Sequence, residues 1–402
     1  MALMPVAEAY AAILKDVKAL PEETAALTDA FHRTLSRDIA ALRTQPPAAM
    51  SAMDGYAVHA ADAVPGARLK VIGEVAAGRP FNETVHAGQA ARIFTGGVMP
   101  DGADTVVIQE DATRDGDFVI VNAAIAAGRN VRAAGIDFRE GDMLLPRGTL
   151  LSDRSVALAA GMNHPRLPVH RRPRVAILAT GDELVAPGAT PGPGQIISSN
   201  VFALTALVRS EGAEPIDLGV ARDTLEATSS SIRRARDLGV DVLVTTGGAS
   251  VGDHDYVQEA LRAEGVDIAF WKIALRPGKP MMHGRLKSMR VLGLPGNPVS
   301  SYICAFVFLV PLIRALSGRT QIDHVAERAV LGHDLPANDK RQDYLRARAA
   351  PGPDGLPVAS SVGAQDSSLV ANLAAANVLI VRPPFAPAAP AGSPCTILRL
   401  PR

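Results

Sequence analysis

The sequence predicts a multidomain α/β-plus-β protein: a central α/β unit on a parallel sheet, a β-rich segment before it and a small β-domain after it. Three observations carry this. At 402 residues the chain exceeds the usual size of one hydrophobic core, so several domains are expected. From Arg174 to Gly318 apolar strands alternate with helical periods, the pattern of a parallel sheet covered on both faces. On either side the apolar runs are short and are broken by Gly, Asp, Asn and Pro turns.

In chain order, Val6, Tyr10, Ile13, Leu14 and Val17 recur at three and four residues, which predicts helix through most of the first 45 residues, punctuated at Pro21. From Leu69 to Val75, Ala91 to Phe94, Thr105 to Ile108 and Phe118 to Val121 the pattern becomes β. A short helix is expected near Asp153 to Gly161, then a linker at His170-Arg171-Arg172-Pro173. The central strands fall at Val175 to Ala179, Pro215 to Leu218, Val242 to Thr245 and Val291 to Leu294. Asn200, Asp223 and Asp255 stand where helix caps belong, and Gly212, Gly239 and Gly265 where helices end. Beyond Gly318, Tyr344 to Ala349 and Val378 to Arg382 read as strands, and the Ala/Pro tract from Pro383 to Gly392 as a stiff surface loop. The expected domains are therefore 1–45 with 129–173, 46–128, 174–318 and 319–402.

Acidic and basic side chains balance at 41 each, which removes the charge footprint of a nucleic-acid or membrane-surface binder. Cys304 and Cys395 are too far apart in sequence for a CxxC, so no disulfide framework or zinc knuckle is expected and a cytoplasmic setting fits. The first 20 residues lack a signal-peptide pattern. The apolar run Tyr302 to Ile313 is short for a membrane span and contains Pro311, which predicts a buried helix.

In an open parallel sheet, ligands sit beyond the carboxyl ends of the strands. Four loops are placed there: Thr180-Gly181-Asp182-Glu183, Ser198-Ser199-Asn200, Gly247-Gly248-Ala249-Ser250-Val251-Gly252-Asp253, and Pro295-Gly296-Asn297-Pro298. The glycines permit close backbone approach to a phosphate or a planar ring. No GxGxxG and no P-loop occurs, so dehydrogenase and classical ATPase readings lose support. Lys272, Arg276 and Lys279 would form a cationic wall if they face the cleft, although exposed surface is the commoner fate of such residues. Acids on neighbouring loops are of the kind that hold Mg²⁺ together with substrate oxygens. Met53-Asp54-Gly55-Tyr56 and Ile93-Phe94-Thr95-Gly96-Gly97 read, on their own, as ordinary strand turns.

Taken together, SAMDGYA (51–57), IFTG (93–96), TGDEL (180–184), GGASVGDHDY (247–256), RPGKP (276–280) and GLPGNPVS (293–300) resemble the MoeA, or molybdopterin molybdenumtransferase, family, which shares its plan with the E domain of gephyrin. The resemblance spans nearly the whole chain. It implies an L-shaped subunit in a homodimer, with a β-rich N-terminal wing, a molybdopterin-binding α/β domain and a C-terminal β-barrel. It implies insertion of molybdate into adenylylated molybdopterin with Mg²⁺-dependent release of AMP. By motif, Asp54, Thr95, Glu183, Asp255, Lys272 and Arg276 correspond to catalytic positions. Asp54, Glu183 and Asp255 are the candidates to hold Mg²⁺. Asp137, Ser199, Asp223, Gly247, Gly248, Ser250, Gly252, Asp253, Lys279, Pro295, Gly296, Asn297, Pro298 and Ser367 are assigned to substrate. Arg276 stands where many relatives have lysine, and Gln365-Asp366-Ser367-Ser368 follows the family's QGS pattern loosely. Enzymes of the same pathway and factors that deliver cofactor to molybdoenzymes are the expected partners. The alternatives are a molybdopterin adenylyltransferase, which would not need the 170 residues before Arg174, and a non-catalytic gephyrin-like scaffold.

Overall fold

A computed structural model describes residues 3–79, 81–247 and 256–401, with the side chains of Phe270 and Trp271 excepted. The central sheet has six strands in the order 214–221, 174–180, 242–246, 289–294, 280–286, 267–272. The first four run parallel, as their continuous apolar runs require. The last two form an antiparallel extension, so the sheet is mixed at one edge. That edge lies where Lys272 and Lys279 fall.

One face of the sheet packs on helices α1 (Val6–Leu14) and α3 (Asn200–Ser210) and on the Pro298–Leu316 helix. The other face packs on α4 (Leu225–Asp237) and α5 (Tyr256–Ala263). The Pro298–Leu316 helix is long and apolar enough to cross a membrane, but 83% of that segment is buried inside the protein, which accounts for its composition. The expected helix boundaries hold at Gly212, Gly239 and Gly265, which all adopt positive φ. Two caps are corrected. Thr224, not Asp223, accepts the first-turn amide of α4, and Asn200 lies inside α3 and turns its side chain elsewhere.

The N-terminal expectation is corrected more deeply. Among the described residues of the first 45, only Val6–Leu14 forms an α-helix, and Glu22–Ala26 is a strand paired antiparallel with Arg166–His170. Helix propensity in this alanine-rich run is overridden by pairing with a partner some 145 residues away, which no local pattern displays. The helix also packs with the central sheet, since Val6, Ala9 and Ile13 are buried in the same core as Val175, Leu292 and Phe306. The second helix, α2 (Asp153–Gly161), lies where predicted, capped by Ser152.

The wing is a six-stranded, largely antiparallel sheet in the order 105–108, 55–58, 89–93, 68–75, 118–121, 112–115. At the C-terminus, strands 342–351, 357–361, 326–331, 394–399 and 378–382 pair in sequence. The last returns to the first, which closes a five-stranded barrel. The segment expected to be a linker is instead a tied junction. Arg171 makes two 2.7 Å bonds to Asp241, Arg172 donates to the Gly212 carbonyl, and the His170 ring is bonded to the Leu20 carbonyl.

Candidate active site

The carboxyl ends of the parallel strands converge on one cleft of about 870 Å³. Thr180, Thr246 and Pro295 end or follow three of the strands, and Asp223 follows the fourth. The Thr180 hydroxyl donates to the Thr246 carbonyl at 3.5 Å, and the Gly247 amide donates to the Leu294 carbonyl at 3.3 Å, so adjacent strand ends are tied. Gly247 has φ +95°, and a Cβ there would lie 2.6 Å from the Thr180 carbonyl oxygen, so only glycine fits between the strands.

The Pro295-Gly296-Asn297-Pro298 turn is fixed from both sides. Asn200 Nδ2 donates to the Gly296 carbonyl at 2.7 Å, and Asn297 Nδ2 donates to Ser367 Oγ at 2.9 Å. The Val299 amide donates to the Ser367 carbonyl at 3.0 Å, so a loop of the C-terminal barrel closes over the start of the helix. Behind that loop Arg346, 1% exposed, donates from Nη2 to the Asp366 carbonyl at 2.9 Å. Its backbone amide donates to Gln365 Oε1 at 2.9 Å. Sequence reasoning missed Arg346, because an arginine between Leu345 and Ala347 in a strand looks like an outward-facing residue.

Of the sequence-predicted residues, Glu183, Ser199, Asp223, Gly247, Pro295, Gly296, Asn297 and Pro298 line this cleft, and Ser367 touches it through Asn297. Ile196 and Ile197 supply an apolar wall that the sequence did not single out. Gly248, Ser250, Gly252, Asp253 and Asp255 lie outside the described residues. The Asp182 and Asp223 backbone amides each donate to the other's carboxylate at 3.4 Å, which holds Asp223 at the rim.

Asp54 and Thr95 come together elsewhere, in the wing. Asp54 Oδ1 accepts from the Thr95 amide at 2.7 Å and from its hydroxyl at 2.8 Å. These bonds, the amide's first, hold the Asp54 carboxyl below the usual aspartate range and keep it anionic. The Met53 to Tyr56 segment does turn between two strands. A Cβ at Gly55 would fall 2.0 Å from the Val107 carbonyl oxygen, so the glycine lets three strands meet beneath Asp54. Among the described residues, none before Thr180 lines the cleft of the same chain. Asp137 is exposed in the N-terminal part and does not line it either.

The cationic wall takes a different form from the one expected. Arg276 donates to Asp343 and Asn338 and lies 3.4 Å from Asp339, facing the barrel, and its hydrogen bond to Asp343 pushes its pKa up. Lys272 is half-buried and Lys279 exposed, and among the described residues neither has a side-chain ion pair. Arg276, by contrast, is paired with acids of the barrel. Asp343 is 3% exposed, and its other oxygen has no partner among the described residues. Arg276→Ala is therefore expected to cost roughly 2 kcal/mol of stability by stranding a buried carboxylate. Thermal unfolding checks this; an unchanged midpoint would show that Arg276 is not a structural partner of the barrel.

An open-sheet α/β domain whose strand ends form a glycine- and amide-lined cleft, closed by a barrel loop, is a small-molecule binding domain within a larger enzyme. Three family models match in order: the MoeA N-terminal region (domain I and II) over residues 4–162, a probable molybdopterin binding domain over 176–315, and the MoeA C-terminal region (domain IV) over 328–400. The molybdopterin molybdenumtransferase of a Nostoc species is 38% identical, covering 87% of this chain and 82% of that protein. The Bacillus subtilis enzyme of the same name is 33% identical over 94% and 90%. A crystal structure of a molybdopterin biosynthesis MoeA protein from Pyrococcus horikoshii superimposes with a TM-score of 0.82, at 29% identity, over 99% of both chains. The chain belongs to the MoeA family of molybdopterin molybdenumtransferases, and is a transferase of molybdenum cofactor biosynthesis.

Proposed function

We propose that this protein inserts molybdate into adenylylated molybdopterin, releasing AMP in a Mg²⁺-dependent reaction, and that it does so as a cytoplasmic homodimer. The observation that carries this reading is the cleft itself. Its size suits a pterin nucleotide, its polar lining is mostly neutral donors and backbone, and among the described residues the carboxylates that line it are Glu183 and Asp223. Neutral donors from the 295–298 turn and Ser199 suit the pterin phosphate, and Ile196 and Ile197 suit the ring. Lys272 and Lys279 would draw molybdate and the AMP phosphate toward the sheet edge.

The donor set fits a magnesium ion. Among the described residues there is no cluster of three metal-ligating side chains, but Mg²⁺ needs only one or two carboxylates plus waters and substrate oxygens. Glu183 and Asp223 provide these from the cleft, and Asp54, kept anionic by Thr95, would reach the site from the wing of a second subunit. The ion would supply charge neutralisation at the phosphoanhydride that is cleaved. The protein's own contribution is to bind, align and desolvate the two substrates, so no protein nucleophile is required. Enzymes of the same pathway and cofactor-delivery factors are the partners this reaction calls for.

With adenylylated molybdopterin and molybdate supplied, AMP should appear with one active cofactor per AMP, and EDTA should suppress both while added Mg²⁺ restores them. AMP release that ignores EDTA, or release without cofactor formation, would rule the reaction out.

A further inference from the structure

We infer that the N-terminal arm is a backbone strap that positions Lys272, with Met4 as the positioning residue. Lys272 ends the outermost strand of the central sheet, where only one neighbouring strand, 280–286, restrains it. The Met4 amide donates to the Lys272 carbonyl at 3.0 Å, and the Ala274 amide donates back to the Met4 carbonyl at 2.7 Å, which makes a parallel bridge of Met4 with Ile273. Immediately beyond, the Ile273 amide donates to the Lys279 carbonyl at 3.1 Å, and the Gln342 amide of the barrel donates to the Ala274 carbonyl at 2.8 Å. The backbone carrying Lys272 is therefore held by the arm, the barrel and its own loop.

The strap is anchored, because Pro5 leads directly into α1, whose Val6, Ala9 and Ile13 are buried in the core. The far end of that helix is fastened as well, since Arg285 and Arg290 donate to the Lys15 carbonyl at 2.5 and 2.8 Å. Edge strands fray unless they are covered, and a lysine is too flexible to fix its own ammonium group. A fixed backbone confines the ammonium to a small volume beside the cleft, so the entropy of placing it is lost in folding rather than on binding the anion.

The inference rests on the proposed role of Lys272 toward molybdate, and the test separates the two. Met4→Pro removes the amide that bonds Lys272 together with the side chain, and Met4→Ala removes the side chain but keeps the amide. Met4→Pro should raise the KM for molybdate about fivefold, with kcat and the KM for the pterin substrate changed less than about twofold. Hydrogen exchange of the Ala274 amide, which donates to the Met4 carbonyl, should quicken in Met4→Pro. Met4→Ala should match wild type in both. Ile232→Val, in the core on the other face of the sheet and away from both strap and anchor, controls for general destabilisation. If Met4→Pro does not fold, two glycines inserted between Pro5 and Val6 uncouple strap from anchor and should raise the same KM. Wild-type molybdate KM and wild-type Ala274 exchange in the strap variant, or an equal KM rise in Ile232→Val, would overturn the strap. An unchanged molybdate KM in Lys272→Ala would overturn the role of Lys272 instead, and exchange at Ala274 would still report whether the arm orders the strand.

Discussion

Glu183→Gln is expected to lower turnover by about a thousandfold, or about 4 kcal/mol of transition-state stabilisation, while the pterin substrate still binds within about threefold of wild type. The amide keeps the shape of the side chain and loses the charge that would hold a cation. Glu183 lines the cleft, and its backbone is fixed by the Ile196 amide, which donates to the Glu183 carbonyl at 2.8 Å, so the substitution leaves the loop in place. Single-turnover AMP release together with equilibrium binding of the pterin substrate separates the two effects. Parallel losses in both would mean that Glu183 shapes the cleft and does not hold the ion.

The second large effect concerns assembly. Asp54 and Thr95 form a fixed, anionic pair in the wing, yet among the described residues the cleft of the same chain is lined only by those from Thr180 onward. If two subunits share each site, Asp54→Ala and Glu183→Gln chains, each inactive alone, should complement when unfolded together and reassembled. About half the dimers would be mixed, each with one intact site of two, so activity should return to roughly a quarter of wild type. Two lesions serving a site within one chain cannot complement. Mixed dimers verified by mass spectrometry, and still inactive, would refute the shared site.

Much of the central fold was legible because it is locally encoded. Buried parallel strands are continuous apolar runs, so 175–179, 242–245 and 291–294 could be read directly, and Gly212, Gly239 and Gly265 marked the helix ends. The errors came where distant partners decide. The strand at Glu22–Ala26 exists because Arg166–His170 pairs with it, and the antiparallel strands at 267–272 and 280–286 sit in a segment read only as apolar with charges. In the site, loops that follow strands were found because topology alone places them. Arg276 was misjudged because nothing near it in sequence announces Asp343, and Arg346 was passed over because its burial depends on a loop twenty residues further on. Charge reveals that a side chain needs a partner, but not which one.

The docking of α1 also sets an order of events during synthesis. Its apolar face, Val6, Ala9 and Ile13, is made some 300 residues before Phe306 and Ile313, which share its core. At about 5–20 residues per second, that face waits roughly 15–60 s on the ribosome before its partners emerge. Until then it is an unsatisfied hydrophobic surface on a nascent chain, and the wing, whose strands all lie between residues 55 and 121, can fold in the meantime. The Val6–Leu14 helix can complete its packing only after a segment some 300 residues further along has been made.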